Sequence, residues 1–587
     1  MKKFISIISL ALILSMGICQ MACGKADQQS SATDPATDPL TDPITTPITT
    51  IGTTAAITTV APTTTTAQKV EDKEPVKLEY EAAVPKAAVQ VKSFYQIGEP
   101  SNFSDKLTLA TLQGLVANKC EDQIIINTVA IEKMKTYMFS TWNCSVNSKV
   151  DGKSVNLENL LKHYKGSLAG YILCADDVNS QSGSVAVSVA GLMNAVVATP
   201  ANKYFCEKAG LKCLLDATNL DDAWLRSSEY FPKLNKKIAF EQPLSMAPKL
   251  IDYAVMSNSY VNFYNGQNPN EHQKMFEFLD DGAIVFGFNN TLGEYQTVLS
   301  FSKENIQLVA SDHAYNLSTF SGLNLNTLTQ KTADVSTEAT PNKHTVCIIL
   351  SDGDNLQWFT NDFTTAAKWW ANNNRGKFNM GWGVPATMID VAAPASKYLY
   401  SKMTDKDEFI MQISGLGYNF PSRWTQSARD EMAAKVAEYM KRADIDYAGI
   451  LDDNGFNTES LSSFTKQEGI DGLFYIDFAN YAGENGKILW SDGKPIVAAR
   501  HRLWADLPDS SIEAIASAVN AADTDPTKAS SYSFIIVHAW SGLTSGNLVP
   551  NGNTLNAVAK LVESFDGDVD VVTPSEFMNR IVKNNAK

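Results

Sequence analysis

The sequence predicts an α/β protein with a C-terminal (β/α) barrel of seven or eight strands, preceded by one or two small α/β domains. Three observations predict it. The last ~245 residues have the usual size of such a barrel. Short apolar runs recur through them at regular spacing and alternate with stretches of helical spacing. Upstream, a similar strand-helix rhythm appears in shorter pieces.

The barrel strands are expected at Thr345–Leu350, Phe378–Trp382, Glu408–Ile413, Tyr447–Leu451, Gly472–Ile476, Pro495–Ala498, Ser533–Val537 and Val569–Val572. Helices are expected at Ser427–Ala443 and Ser510–Ala522. Short apolar runs joined by helices read as parallel strands. An open doubly wound sheet is the alternative. Residues 340–587 are therefore assigned to the barrel, and the polar stretch 331–342 to the boundary. Residues 91–335 read as an N-terminal α/β region with subdomains near 91–165, 166–240 and 241–335. Its predicted elements include a helix over 106–117 and strands at Ile124–Ile126, Ala169–Cys174, Ala195–Thr199, Gly282–Gly287 and Ile306–Ala310.

The N-terminus predicts export. Lys2 and Lys3 precede an apolar run, Phe4–Ile18, that is too short to be an ordinary membrane span. Met21-Ala22-Cys23-Gly24 resembles a bacterial lipobox, which marks Cys23 for lipidation and 1–23 as a signal peptide. Residues 24–90 read as a disordered tether. Its centre, 33–66, holds 15 Thr and 5 Pro with three charges, a composition that cannot bury apolar area. The expected location is the cell surface, with the membrane reached through a lipid anchor; plain secretion is the alternative.

The 587 residues carry 49 basic and 64 acidic side chains, a net charge of -15. That balance argues against nucleic acid as a partner. The six cysteines beyond the signal form no CxxC or Cys/His cluster, so no metal and no cofactor is expected.

In a (β/α) barrel the loops after the strands share one rim. Polar residues concentrate there: Asp352 and Asp354 after the first strand, Asp452 and Asp453 after the fourth, Arg500 and His501 after the sixth, His538 after the seventh. Eight of the ten Trp lie beyond residue 345, and Trp358, Trp424, Trp504 and Trp540 stand close to strand ends. Aromatic faces stack on sugar rings while carboxylates bind hydroxyls. The expected chemistry is glycoside hydrolysis, with one acid from Asp352/Asp354 paired with one from Asp452/Asp453. Arg500, His501 and His538 would orient substrate or tune the acids.

Gly415-Leu-Gly-Tyr-Asn-Phe-Pro421 resembles the signature of the GxGYxYP family of glycoside hydrolases, with Phe420 for the second Tyr. Ser351-Asp-Gly-Asp-Asn355 resembles that family's SDGDN segment, and Leu112-Gln-Gly-Leu-Val-Ala117 its LQGLVN. The resemblance spans roughly 91–587 and implies a carbohydrate substrate. Gly415 and Gly417 are expected to let backbone approach the sugar, with Tyr418 and Pro421 beside it. A fainter likeness, to the polysaccharide deacetylase barrel, leaves a metal site from Asp352, Asp354, His501 and His538 as an alternative. A non-catalytic carbohydrate-binding surface lipoprotein is the third reading.

Overall fold

The computed structural model describes residues 78–262, 270–289 and 292–586, so Cys23, the signal and most of the tether lie outside the described residues. From Lys77 onward the chain is one compact unit.

Its C-terminal half is built on a single curled sheet of mostly parallel strands. In chain order these are β1 (His344–Leu350), β2 (Met380–Val384), β3 (Asp407–Met411), β4 (Tyr447–Asp452), β5 (Gly472–Asp477), β6 (Ile488–Ser491), β7 (Lys494–Ala498), β8 (His501–Leu503), β9 (Tyr532–Val537) and β10 (Val569–Val572). Neighbours follow the order β6-β7-β5-β4-β3-β2-β1-β9-β8. β10 pairs with the first half of β1, and β2 with its end. The chain joining β7 to β8 touches both sides of the curl: Ala499 N–H donates to Tyr475 O (2.9 Å) and Arg500 N–H to Phe534 O (2.9 Å). Every residue of β1, β2, β3, β4 and β9 is buried, which explains why these strands read as continuous apolar runs. β6 pairs antiparallel with β7 as a hairpin that the apolar pattern did not announce.

Helices return the chain between strands. The longest, Gln426–Ala443, ends where Asp444 takes a left-handed conformation (φ 56°), and Lys441 and Arg442 in its last turn complement the helix dipole.

The N-terminal region holds three small parallel sheets. One is formed by Asp122–Ile126, Ser93–Ile97 and Ser145–Asn147, and a second by Ala195–Ala198, Gly170–Leu173 and Cys213–Asp216. The third joins Gln307–Val309, Ile284–Gly287, Asn235–Glu241 and Ser259–Asn262. The division expected at residue 240 cuts through Asn235–Glu241. That strand pairs with Ser259–Asn262 and Ile284–Gly287, so it belongs to the third sheet and its subdomain.

The expected tether also extends too far. Residues 78–90 form a strap against the folded unit: Val84 is buried, and Ala83 N–H donates to the Tyr439 hydroxyl (2.8 Å). Lys86 Nζ donates to the Asp390 carbonyl (2.8 Å), and Ala87 N–H to Ser321 Oγ (3.1 Å). The buried Asp390 carboxylate gathers the hydroxyls of Tyr80 and Tyr439 and the Arg442 guanidinium (3.0 Å). Composition reads Glu79–Gln90 as polar linker because its charges look solvated, but Lys86 has a buried partner.

Candidate active site

The turn after β1 is fixed by a close approach. A Cβ on Gly353 would stand 2.3 Å from the Gly383 carbonyl carbon, so only glycine lets the turn lie against β2. Gly353 N–H donates to Gln412 Oε1 (3.1 Å), and the Gln412 amide at the end of β3 rests where a Gly383 side chain would be. Asp352 sits in the left-handed region (φ 62°). Asn355 caps the short helix Leu356–Phe359, its Oδ1 accepting from Trp358 N–H (3.2 Å). This rigid turn presents Asp352 and Asp354 half-buried. Burial, reinforced by the negative charges of Asp352 and Glu294, pushes the Asp354 carboxyl up to about 7.

Glu294 comes from outside the large sheet, at the start of the helix Glu294–Lys303. The loop after β3 brings it in. Gln307 Oε1 accepts from Leu416 N–H (2.7 Å) and Gly417 N–H (3.3 Å). Tyr418 and Leu308 exchange backbone bonds of 2.7 and 3.1 Å. The Tyr418 hydroxyl then donates to Glu294 Oε1 (2.9 Å).

Aromatic rings stand near Asp352. Trp504, just past β8, and His538, just past β9, stack face to face with centroids 3.7 Å apart and planes 3° from parallel. Tyr481, in the loop after β5, packs its edge on Trp504 at 4.4 Å. Ser541 Oγ accepts from Ala505 N–H (2.9 Å) and lies 2.9 Å from His538 Nδ1. Burial, against the opposing pull of Asp352, pushes His538 down to about 4, so the ring is neutral near pH 7.

A carboxyl that titrates close to neutral pH, further carboxylates acting on it and an aromatic wall are parts that acid-assisted cleavage of a sugar bond uses. Three family models match the chain: the GxGYxYP putative glycoside hydrolase C-terminal domain over 342–582, the GxGYxYP third domain over 235–322 and the GxGYxYP_N second domain over 168–234. The chain belongs to the GxGYxYP family. It is also similar to a crystal structure of a putative hydrolase from Bacteroides thetaiotaomicron, with 25% identity and a TM-score of 0.76 over 87% of this chain and 99% of that one. A 4-alpha-glucanotransferase from Thermococcus litoralis matches at 12% identity and a TM-score of 0.29 over 40% of each chain. No curated protein sequence matches.

Within this GxGYxYP chain the remaining expected residues lie elsewhere or act differently. Asp452 is fully buried and accepts from Ser422 N–H (2.8 Å), Ser422 Oγ (2.6 Å) and Asp453 N–H (2.7 Å). Asp453 is clasped by Arg423 Nε (2.9 Å) and Nη2 (2.8 Å) and by the Tyr295 hydroxyl (3.0 Å). The charges that raise Asp354 are those of Asp352 and Glu294, and burial also pushes the Asp452 carboxyl up to about 6.

Arg500 and His501 are not at the rim, because the strand ladder continues through β8 and the rim begins only at Trp504. Arg500 donates to the carbonyls of Tyr532 (3.0 Å), Gly486 (3.2 Å) and Ala529 (3.1 Å). His501 lies in the field of Arg500 and His344, and burial holds it at about 4. His501 therefore does not join Asp352, Asp354 and His538. Among the described residues no group of three or more His, Cys, Asp or Glu could hold a metal ion.

Gly415 and Gly417 approach protein rather than open space. Added Cβ atoms would stand 2.5 Å from Gln307 Oε1 and 2.9 Å from Leu308 O. Pro421 is buried, its carbonyl accepting from Arg429 Nη1 (3.0 Å). Trp358 and Trp540 join Trp369 in an aromatic cluster, with Trp358 centroids 4.9 Å from Trp369 and 5.0 Å from Trp540. Trp424 is buried at 4% exposure. Glu294, Tyr481 and Gln412 are absent from the sequence-based expectation. Nothing local tied Glu294 to a rim more than 50 residues away.

Proposed function

We propose that this protein is an exported, surface-anchored glycoside hydrolase that cleaves a carbohydrate with rim carboxylates of a seven- or eight-stranded (β/α) barrel. The observation that carries this reading is the Asp354 carboxyl, pushed up to about 7 beside Asp352 and Glu294. Asp354 protonates the departing glycosidic oxygen. Glu294, held by the Tyr418 hydroxyl, is the ionised partner that attacks the anomeric carbon or activates water. Asp352 supplies the negative field that keeps the proton on Asp354. Tyr481, half-buried and backed by Trp504, offers apolar surface for a sugar ring, and the neutral His538 ring offers a nitrogen to a hydroxyl. Family membership supports a carbohydrate substrate, and the curl of the sheet through Ala499 and Arg500 supports the barrel. The lipobox-like Cys23 and the Thr/Pro tether support surface anchoring.

The test is hydrolysis of a broad glycan panel by the parent and by Asp354→Asn. Loss of at least a hundredfold in rate, with glycan binding retained, is expected. Equal rates would sink the assignment, and activity abolished by chelators would favour metal-dependent deacetylase-like chemistry instead.

A further inference from the structure

In the N-terminal region His163 is held by two carboxylates at once. Its Nδ1 lies 3.0 Å from Asp151 Oδ1 and its Nε2 2.9 Å from Asp122 Oδ2. A neutral imidazole has one N–H and one lone pair, and an ionised carboxylate only accepts. In the neutral ring one of the two contacts would set a lone pair against a carboxylate. Both are satisfied together only by the imidazolium, with a proton on each nitrogen. Among the described residues neither aspartate forms an ion pair with a Lys or Arg, so His163 is the cation they share.

The ring spans the first small sheet. His163 stands in the last turn of the helix Leu157–Tyr164, which Asn156 caps. Asp122 starts one outer strand, Asp122–Ile126. Tyr95, in the central strand, has its hydroxyl 3.4 Å from His163 Nε2. Asp151 lies beyond the other outer strand, Ser145–Asn147, in a turn closed by backbone bonds of 2.9 and 2.8 Å between Val150 and Lys153.

The other charges nearby are spoken for. Lys162 pairs with Glu158 (2.6 Å), and Lys208, on the helix Lys203–Ala209, and Lys153 also act on Glu158. Lys119 acts on Cys120 and donates to the Ser167 carbonyl (3.3 Å). Burial raises the Cys120 thiol and the Tyr95 phenol, so both face Asp122 as neutral groups. Burial opposes charge on His163 too, but the two aspartates outweigh it and hold the ring above its usual value.

We propose that His163 is a pH-operated clasp: as the imidazolium it closes the first sheet across Asp122 and Asp151, and on losing its proton it frees the turn Val150–Lys153. A histidine raised by folding stabilises the fold fully below its unfolded value, near 6.5, and that contribution is lost as pH rises through the folded value. None of these residues takes part in the proposed hydrolysis, so the two readings stand or fall separately.

The experiment uses the full-length protein. The His163 ring signal is followed by NMR from pH 5 to 9 and assigned by its loss in His163→Gln. It is expected to titrate above about 6.5, and Asp151→Asn should bring it down. Hydrogen exchange of 148–156, with the intrinsic pH dependence divided out, should be at least about threefold faster at pH 8.5 than at pH 5.5 in the parent. His163→Gln, neutral throughout, should show the faster exchange at both. A ring that titrates at or below 6.5 overturns the clasp, and so does exchange in the parent that is the same at both pH values. These two parent measurements decide the matter even where a variant fails to fold.

Discussion

Asp354 is where function and stability oppose each other. An exposed aspartyl group titrates near 3.9, whereas in the folded protein burial and two neighbouring carboxylates hold this one at about 7. Between those values the folded chain keeps a proton that the unfolded chain has lost. The sign comes from linkage: this group favours folding below pH ~4, and that contribution fades as pH rises to about 7. Asp354→Asn, neutral at every pH, should therefore raise Tm more at pH 8 than at pH 4. Unfolding scans at the two pH values check this, and an equal effect at both would mean the carboxyl is not held protonated. The same titration predicts that hydrolysis declines as pH rises through 7, because the proton donor is lost.

The loop Ile413–Pro421 shows how an element can be legible and still be misread. Its glycines were expected to make room for a sugar, yet each gives up its Cβ to the strand Gln307–Val309. Gly417→Ala would place a methyl 2.9 Å from Leu308 O and 3.0 Å from Val309 Cγ2. We expect a loss of roughly 1–3 kcal/mol, read as a lower Tm, together with reduced activity as Tyr418 and Glu294 move apart. Gly98→Ala, with nothing within 4 Å, is the control and should leave both unchanged. Strands were readable because burial on both faces writes an unbroken apolar run, as in Thr345–Leu350. The site was readable only where such a run stops: Asp352, Asp354, Trp504 and His538 come directly after strand ends. His501 was misplaced because the ladder outlasts the apolar run by one polar stretch, Arg500-His501-Arg502. Glu294 was missed because a residue supplied by another sheet's helix carries no local mark of where it docks.

Across the molecule, the strap 78–90 links regions far apart in sequence. Its hub is Asp390, which neutralises the buried Arg442 against the Tyr80 ring while Lys86, pushed down to about 8 by burial, holds the Asp390 backbone carbonyl. Removing one charge of a buried pair strands the other. Asp390→Asn should thus cost about 3–5 kcal/mol and make residues 78–90 susceptible to protease. Denaturant unfolding and timed proteolysis measure the two effects, and an unchanged midpoint would show the hub to be dispensable.

The place where the strap meets the helix Gln426–Ala443 also has a mechanical meaning. Arg429, bound to the Pro421 carbonyl, and Arg442, over Tyr80, are thirteen residues apart on that helix, about 20 Å at its rise per residue. Asp390 and Arg442 fasten the strap at the C-terminal end of that helix, so a load on residues 78–90 would enter the fold there.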